Sequence, residues 1–186
     1  MAKVRNNIIT QGLSGLLGDQ IVFRKDKTGR TIVAVKPTFG SDRTFNPTQL
    51  AHQEAFRNAI AYAKSAKSEP VYASKAQGTT MSAFNAAVAD WFIQPQVLEI
   101  DASGWNGQIG QMIRVKAQDD TQVAKVMVVI SDENGGVLEQ GQAVQADGLW
   151  WAYTSTMAVS AGASPRIVAT AQDLPGNRAE MAWQNN

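Results

Sequence analysis

Val123-Ala124-Lys125-Val126-Met127-Val128-Val129-Ile130-Ser131 runs directly into Asp132-Glu133-Asn134-Gly135-Gly136. A nine-residue run rich in β-branched side chains, ended by a cluster of turn residues, reads as a strand entering a hairpin. Side chains alternate along a strand, so Val126, Val128 and Ile130 share one face and Val129 takes the other. In the turn, Asn134-Gly135 is expected to supply the positive φ angles that a tight hairpin needs. Outward from this stretch, Val97–Ala102, Met112–Gln118, Val137–Gln140, Trp150–Ser155, Pro165–Gln172 and Arg178–Trp183 repeat the pattern. Short strands at this spacing predict a two-sheet all-β body over residues 96–186. Ile167, Ala169, one of Trp150 and Trp151, and Ile113 or Val115 complete its core.

Two segments precede that body, giving an α+β chain overall. Residues 1–37 hold a small-residue stretch, Gly12 to Gly18, read as a turn region. Two β-prone runs follow, Gln20–Lys25 and Arg30–Lys36, joined by Asp26-Lys27-Thr28-Gly29 and stopped by Pro37. This predicts a β-hairpin with apolar residues on both faces, and a lone hairpin is marginal in water. The residues before it, with Val4, Ile8 and Ile9, form an arm with no partner evident in the sequence. Residues 38–95 read as helical. Asn46-Pro47-Thr48-Gln49 is a helix start, with an Asn cap, Pro at the first turn and Gln three residues after the cap. Ala55, Phe56, Ala59, Ile60 and Ala63 recur at helical spacing. A short helix is expected to start at Ser68-Glu69-Pro70, to carry Val71 and Tyr72, and to end at Gly78. A third is capped by Thr80, with Phe84, Ala87, Val88, Trp91 and Phe92 as its buried stripe.

The residues of the last segment resemble bacterial immunoglobulin-like and fibronectin-III-like repeats. The resemblance rests on Ala117-Gln118-Asp119-Asp120, Asn134-Gly135-Gly136, Trp151-Ala152-Tyr153 and the ending Ala171-Gln172-Asp173-Leu174-Pro175-Gly176-Asn177. It implies an immunoglobulin-like β-sandwich with a role in display, adhesion or assembly, and no active site. The first segment is similar to a family of uncharacterised bacterial proteins that open with a Gly-x-x-Gly-x-x-Gly turn and a hairpin ending in Pro. The matching residues are Gly12, Gly15, Gly18, Phe23, Arg24, Pro37, Pro47 and Gln49. That likeness implies architecture alone.

Composition narrows the chemistry. The chain of 186 residues has no Cys and one His, His52, so thiolate and multi-histidine metal sites are excluded. Ser14 lacks the strand and helix of a nucleophile elbow. The glycine triplet lacks the preceding strand of a nucleotide-binding loop. The expectation is therefore a non-enzyme with no cofactor. Met1 to Asn7 carries charge with no apolar run after it, which predicts no classical signal peptide. No stretch approaches the roughly eighteen apolar residues of a membrane span. Asp101, Asp119, Asp120 and Asp173 are weak calcium candidates if the turns that bear them meet at one end of the sandwich. Arg24, Lys25, Lys27 and Arg30 form a basic hairpin, but one interleaved aromatic, Phe23, and a net charge of +1 argue against nucleic acid.

Charge is unevenly spread. Residues 1–36 contain seven Lys or Arg and two acids, whereas residues 95–186 contain five and ten. This gradient, the arm and the unsupported hairpin together predict a structural subunit that joins copies of itself head-to-tail into a filament or surface appendage. Val4, Ile8, Ile9, Ile21, Phe23, Ile32, Trp150 and Trp151 are the expected interface. Export to the cell surface or medium goes with that reading, and a cytoplasmic home is the other option. An adhesin-like or carbohydrate-binding module, with a glycan or host surface as partner, is the alternative; a component of a phage or phage-like particle is another.

Overall fold

A computed structural model gives the fold and describes residues 2–4, 10, 12–40, 44–160 and 165–183. These residues form three helices and three antiparallel sheets, an α+β fold. The chain divides into two compact units, Met1–Ala86 and Ala87–Asn186.

In the first unit the hairpin is not alone. Strands β1 (Ala2–Val4), β2 (Gly15–Leu17), β3 (Ile21–Lys25) and β4 (Thr31–Val35) form one sheet in the order β1-β4-β3-β2. This corrects two expectations. The arm finds a partner in its own chain, since Ala2, Lys3 and Val4 pair with Val33, Ile32 and Thr31. The supposed turn region contains a strand, since Gly15, Leu16 and Leu17 pair with Phe23, Val22 and Ile21. Ile8 and Ile9 lie outside the described residues. The β3–β4 loop is held by Asp26. Its Oδ1 accepts from the backbone N–H groups of Thr28 and Arg30 and from the Thr28 hydroxyl, and its Oδ2 accepts from Arg30 Nε at 2.8 Å. The Thr28 bond leads in holding this carboxyl well below the usual range.

Helix α1 (Pro47–Ala66) begins as its sequence dictates. Asn46 Oδ1 accepts from Gln49 N at 2.8 Å, while Gln49 Oε1 accepts from Asn46 N at 3.1 Å. Its buried residues are Ala59, Ala63 and Ala66, and Phe56 is exposed. Phe56 shares their face, so only the later turns of the helix are covered. Tyr72 of α2 (Pro70–Ala76) is fully buried, and its hydroxyl lies 2.6 Å from that of Tyr62, with the rings edge-to-face. Helix α3 (Ala83–Asp90) starts later than expected. The Ser82 hydroxyl, not Thr80, accepts from Asn85 N and caps it. Beyond its end Phe92 is exposed, so the expected buried stripe stops short.

The described residues of the second unit form eight strands: β5 (Gln96–Asp101), β6 (Met112–Gln118), β7 (Val123–Ser131), β8 (Val137–Gln142), β9 (Val144–Gln145), β10 (Trp150–Thr154), β11 (Arg166–Asp173) and β12 (Arg178–Trp183). They form two antiparallel sheets, β5-β6-β10-β9 and β12-β11-β7-β8. One hydrophobic core joins the two sheets. Ile113, Val115, Trp151 and Tyr153 come from the first, and Val126, Val128, Ile130, Ile167 and Ala169 from the second. The β7–β8 turn departs from expectation in one respect. Gly135 alone takes a positive φ, 84°, while Asp132 Oδ1 accepts from Asn134 N and Gly136 N. A carboxylate bracing the loop substitutes for a left-handed Asn.

Candidate assembly surface

Register fixes which side chains of the first sheet stand together. Leu17 pairs with Ile21, and Ile21 pairs with Val35. Directly opposed residues of antiparallel strands share a face, so these three make an apolar row across β2, β3 and β4. They are 58%, 36% and 80% exposed, and Leu16 on the other face is 53% exposed. Bulky aliphatic groups gathered into water in this way form an exposed apolar patch. Lys36, next to Val35, is paired to Asp19 at the β2–β3 turn. Asp19 holds φ at 57° there, a left-handed conformation uncommon for a residue with a Cβ.

The expected interface residues separate on this frame. Ile21 belongs to the exposed row, Ile32 is half-buried, and Val4 pairs through β1. Phe23 and Trp151 are corrected: both are buried within the chain, Trp151 in the core of the second unit, and neither is free to meet a neighbour. Alternation sends Trp150 to the outer face, where the Arg114 guanidinium lies 4.6 Å from its ring centroid and Lys116 Nζ lies 5.7 Å away. The chain's own cations therefore occupy this ring. The sequence missed Leu16, Leu17 and Val35. Reading residues 12–18 as a turn hid the first two, and a register not yet known hid the third.

The calcium candidates do not all meet. Gln96 pairs with Gln118 and Asp101 with Arg114, so Asp101 sits at the far end of β5–β6 from Asp119 and Asp120. There Asp101 accepts from the Ser103 hydroxyl and backbone N–H, which together with Arg114 lower its pKa. Asp119 and Asp120 approach Asp90 instead, with carboxylate oxygens of all three within 4.8 Å of one another. Asp90 closes α3 and is fully buried, a position no spacing in the sequence flagged. Three carboxylates could supply part of the six to eight oxygens that Ca²⁺ takes. Asp173 is buried at the β11–β12 turn. It accepts from Gly176 N, Asn177 N and Asn177 Nδ2. Burial raises its pKa, and the neighbouring Asp119 charge adds to the rise. His52 and Ser14 are exposed.

No helix among the described residues is long and apolar enough to cross a membrane. The chain matches no protein-family model and no curated protein. Among solved structures it is similar to an engineered protein determined at 1.98 Å, with 22% identity and a TM-score of 0.37. That match covers 54% of this chain and 25% of the other, so the chain spans about a quarter of that structure's length.

Proposed function

We propose that this protein is a non-enzymatic structural subunit that assembles head-to-tail with copies of itself through its N-terminal sheet. The carrying observation is the exposed Leu17–Ile21–Val35 row on a sheet whose edge strand β2 is exposed at every residue. A monomer in water gains nothing from that arrangement, whereas a neighbour set against β2 takes part of the Leu16 and Leu17 surface out of water, at roughly 25 cal/mol per Å². Charge favours like molecules meeting end to end. Residues 1–86 hold twelve Lys or Arg and five acids, and residues 87–186 hold five and eleven. Such a field steers encounter rather than holding the contact.

An immunoglobulin-like sandwich is the reading we give the second unit. If β5 to β12 are lettered A, B, C, C′, D, E, F and G, the sheet orders become A-B-E-D and G-F-C-C′. That is the strand arrangement expected of this sandwich type. Such a body serves as a stiff module strung along the assembly. Sugar stacking on Trp150 is disfavoured, since Arg114 already lies over its ring.

Light scattering after size exclusion, with negative-stain microscopy across a concentration series, tests the proposal. Polymers that lengthen with concentration are expected. A single monomer mass at every concentration would end it.

A further inference from the structure

We infer that the contact between copies is a strand-to-strand seam, with β2 of one molecule pairing antiparallel to β1 of the next so that the four-stranded sheets join into one continuous ribbon. This rests on the self-assembly reading and names the part of the second copy that meets β2.

Three observations carry it. The first is direction. Each strand of β1-β4-β3-β2 is antiparallel to its neighbour. With four alternating strands, β1 and β2 run oppositely at the two edges. A second copy placed in the same orientation beside the first therefore brings its β1 antiparallel to β2, and the ladder continues without a break. A contact between two different edges does not close on itself unless the rotation makes a ring.

The second observation is protection. Natural proteins guard sheet edges with charges, inward-pointing acids, bulges or very short strands. The second unit uses these devices. β5 has a register shift between Val97 and Glu99, β8 turns the buried Glu139 inward, β12 carries Arg178 and Glu180, and β9 is two residues long. β2 has none of them except brevity. It reads Gly15-Leu16-Leu17, without charge or proline, and all three residues are exposed.

The third is charge along the seam. β1 carries Lys3, while β2 carries no charge. Joining β1 to β2 sets Lys3 against an uncharged strand. Joining β1 to β1 would bring the Lys3 residues of the two copies together.

The geometry fixes the repeat. Strands lie about 4.8 Å apart, so four strands advance the ribbon by about 19 Å per molecule. A mean twist of roughly 20–25° per strand turns each molecule roughly 80–100° from the last.

The test uses the full chain, Leu16→Lys and Leu16→Arg as two versions of a guarded edge, and a chain lacking residues 1–5, with circular dichroism showing that each is folded. The wild type should polymerise with a helical rise near 19 Å. Each Leu16 variant and the truncated chain should stay monomeric over a range at least about tenfold above the wild-type onset, and an equimolar mixture of Leu16→Lys with the truncated chain should stop at a dimer. Polymers of either folded Leu16 variant like those of the wild type would overturn the seam and leave self-assembly standing. So would dimers formed by the truncated chain alone, which would point to two β2 edges meeting across a two-fold axis. A wild type that stays monomeric would remove the self-assembly reading and the seam with it.

Discussion

The Tyr153 hydroxyl donates a 2.6 Å hydrogen bond to Glu139 Oε1 and so ties β10 of one sheet to β8 of the other. Glu139 is only 5% exposed, and the same oxygen accepts from the Thr156 hydroxyl at 2.8 Å and from the Thr156 backbone N–H. Burial on its own would raise this carboxyl's pKa. The donors from Tyr153 and Thr156 outweigh that and hold it below the ordinary glutamate value. Burial, with the adjacent carboxylate, pushes the tyrosine the other way. Tyr153→Phe removes one donor from a buried charge and should cost about 1–3 kcal/mol. A urea midpoint that falls with unchanged slope is the expected result, and an unmoved midpoint would show that the bond stabilises nothing.

The same carboxylate sets a pH dependence. Its folded pKa lies below its unfolded value, so its contribution is present above the unfolded pKa and fades as pH falls through the folded one. Stability should therefore drop on acidification below about pH 4.3. Glu139→Gln should flatten that limb of the curve of unfolding free energy against pH. An acid limb identical to the wild type would show that other carboxylates set it.

Gly141 lies against the same tyrosine. A Cβ built there would stand 2.6 Å from Tyr153 Cε2. That is far inside van der Waals contact, and the ring is already fixed by its hydrogen bond. Gly141→Ala should force the ring aside and cost about 1–3 kcal/mol. A melting temperature equal to the wild type would mean the ring moves freely, contrary to the role assigned to its hydroxyl.

Asp173 behaves with the opposite sign. Its folded pKa is raised, so its contribution is present at low pH and lost as pH rises through that value. Part of the rise comes from Asp119. Asp119→Asn removes the charge but keeps an oxygen to accept from Thr121 N and Gln122 N, as Asp119 Oδ2 does. The Asp173 pKa, followed by carboxyl carbon NMR, should fall in this variant. An unchanged value would leave burial as its sole cause.

The second unit was legible because its strands are long, alternating and separated by turn residues. β6, β7 and β12 begin and end where the sequence placed them. β9 was not, because two residues of strand carry no period. The N-terminal sheet was half legible. Its central pair is β-branched, but β2 is built from Gly15, Leu16 and Leu17 beside Gly12 and Gly18, and glycine at that density reads as turn. Pairing with β3, not intrinsic preference, makes it a strand. The exposed row needs three strands in register, and register is a tertiary fact. The Asp90–Asp119–Asp120 approach joins a helix end to a turn some thirty residues later, and no local pattern encodes it.

Asn46 offers a test in which sequence and structure point the same way. Both bonds of the capping box are formed, and they satisfy N–H groups that have no partner within the helix. Asn46→Ala removes the side-chain acceptor for Gln49 N and leaves only the bond from the residue 46 backbone N–H to Gln49 Oε1. The cost should be about 0.5–2 kcal/mol, with Asn46→Asp keeping most of the stability because a carboxylate caps as well and suits the positive end of the helix. Chemical denaturation of the three proteins side by side checks the order. If Ala and Asp at position 46 unfold together, α1 is held by its buried alanines alone and the cap contributes nothing measurable.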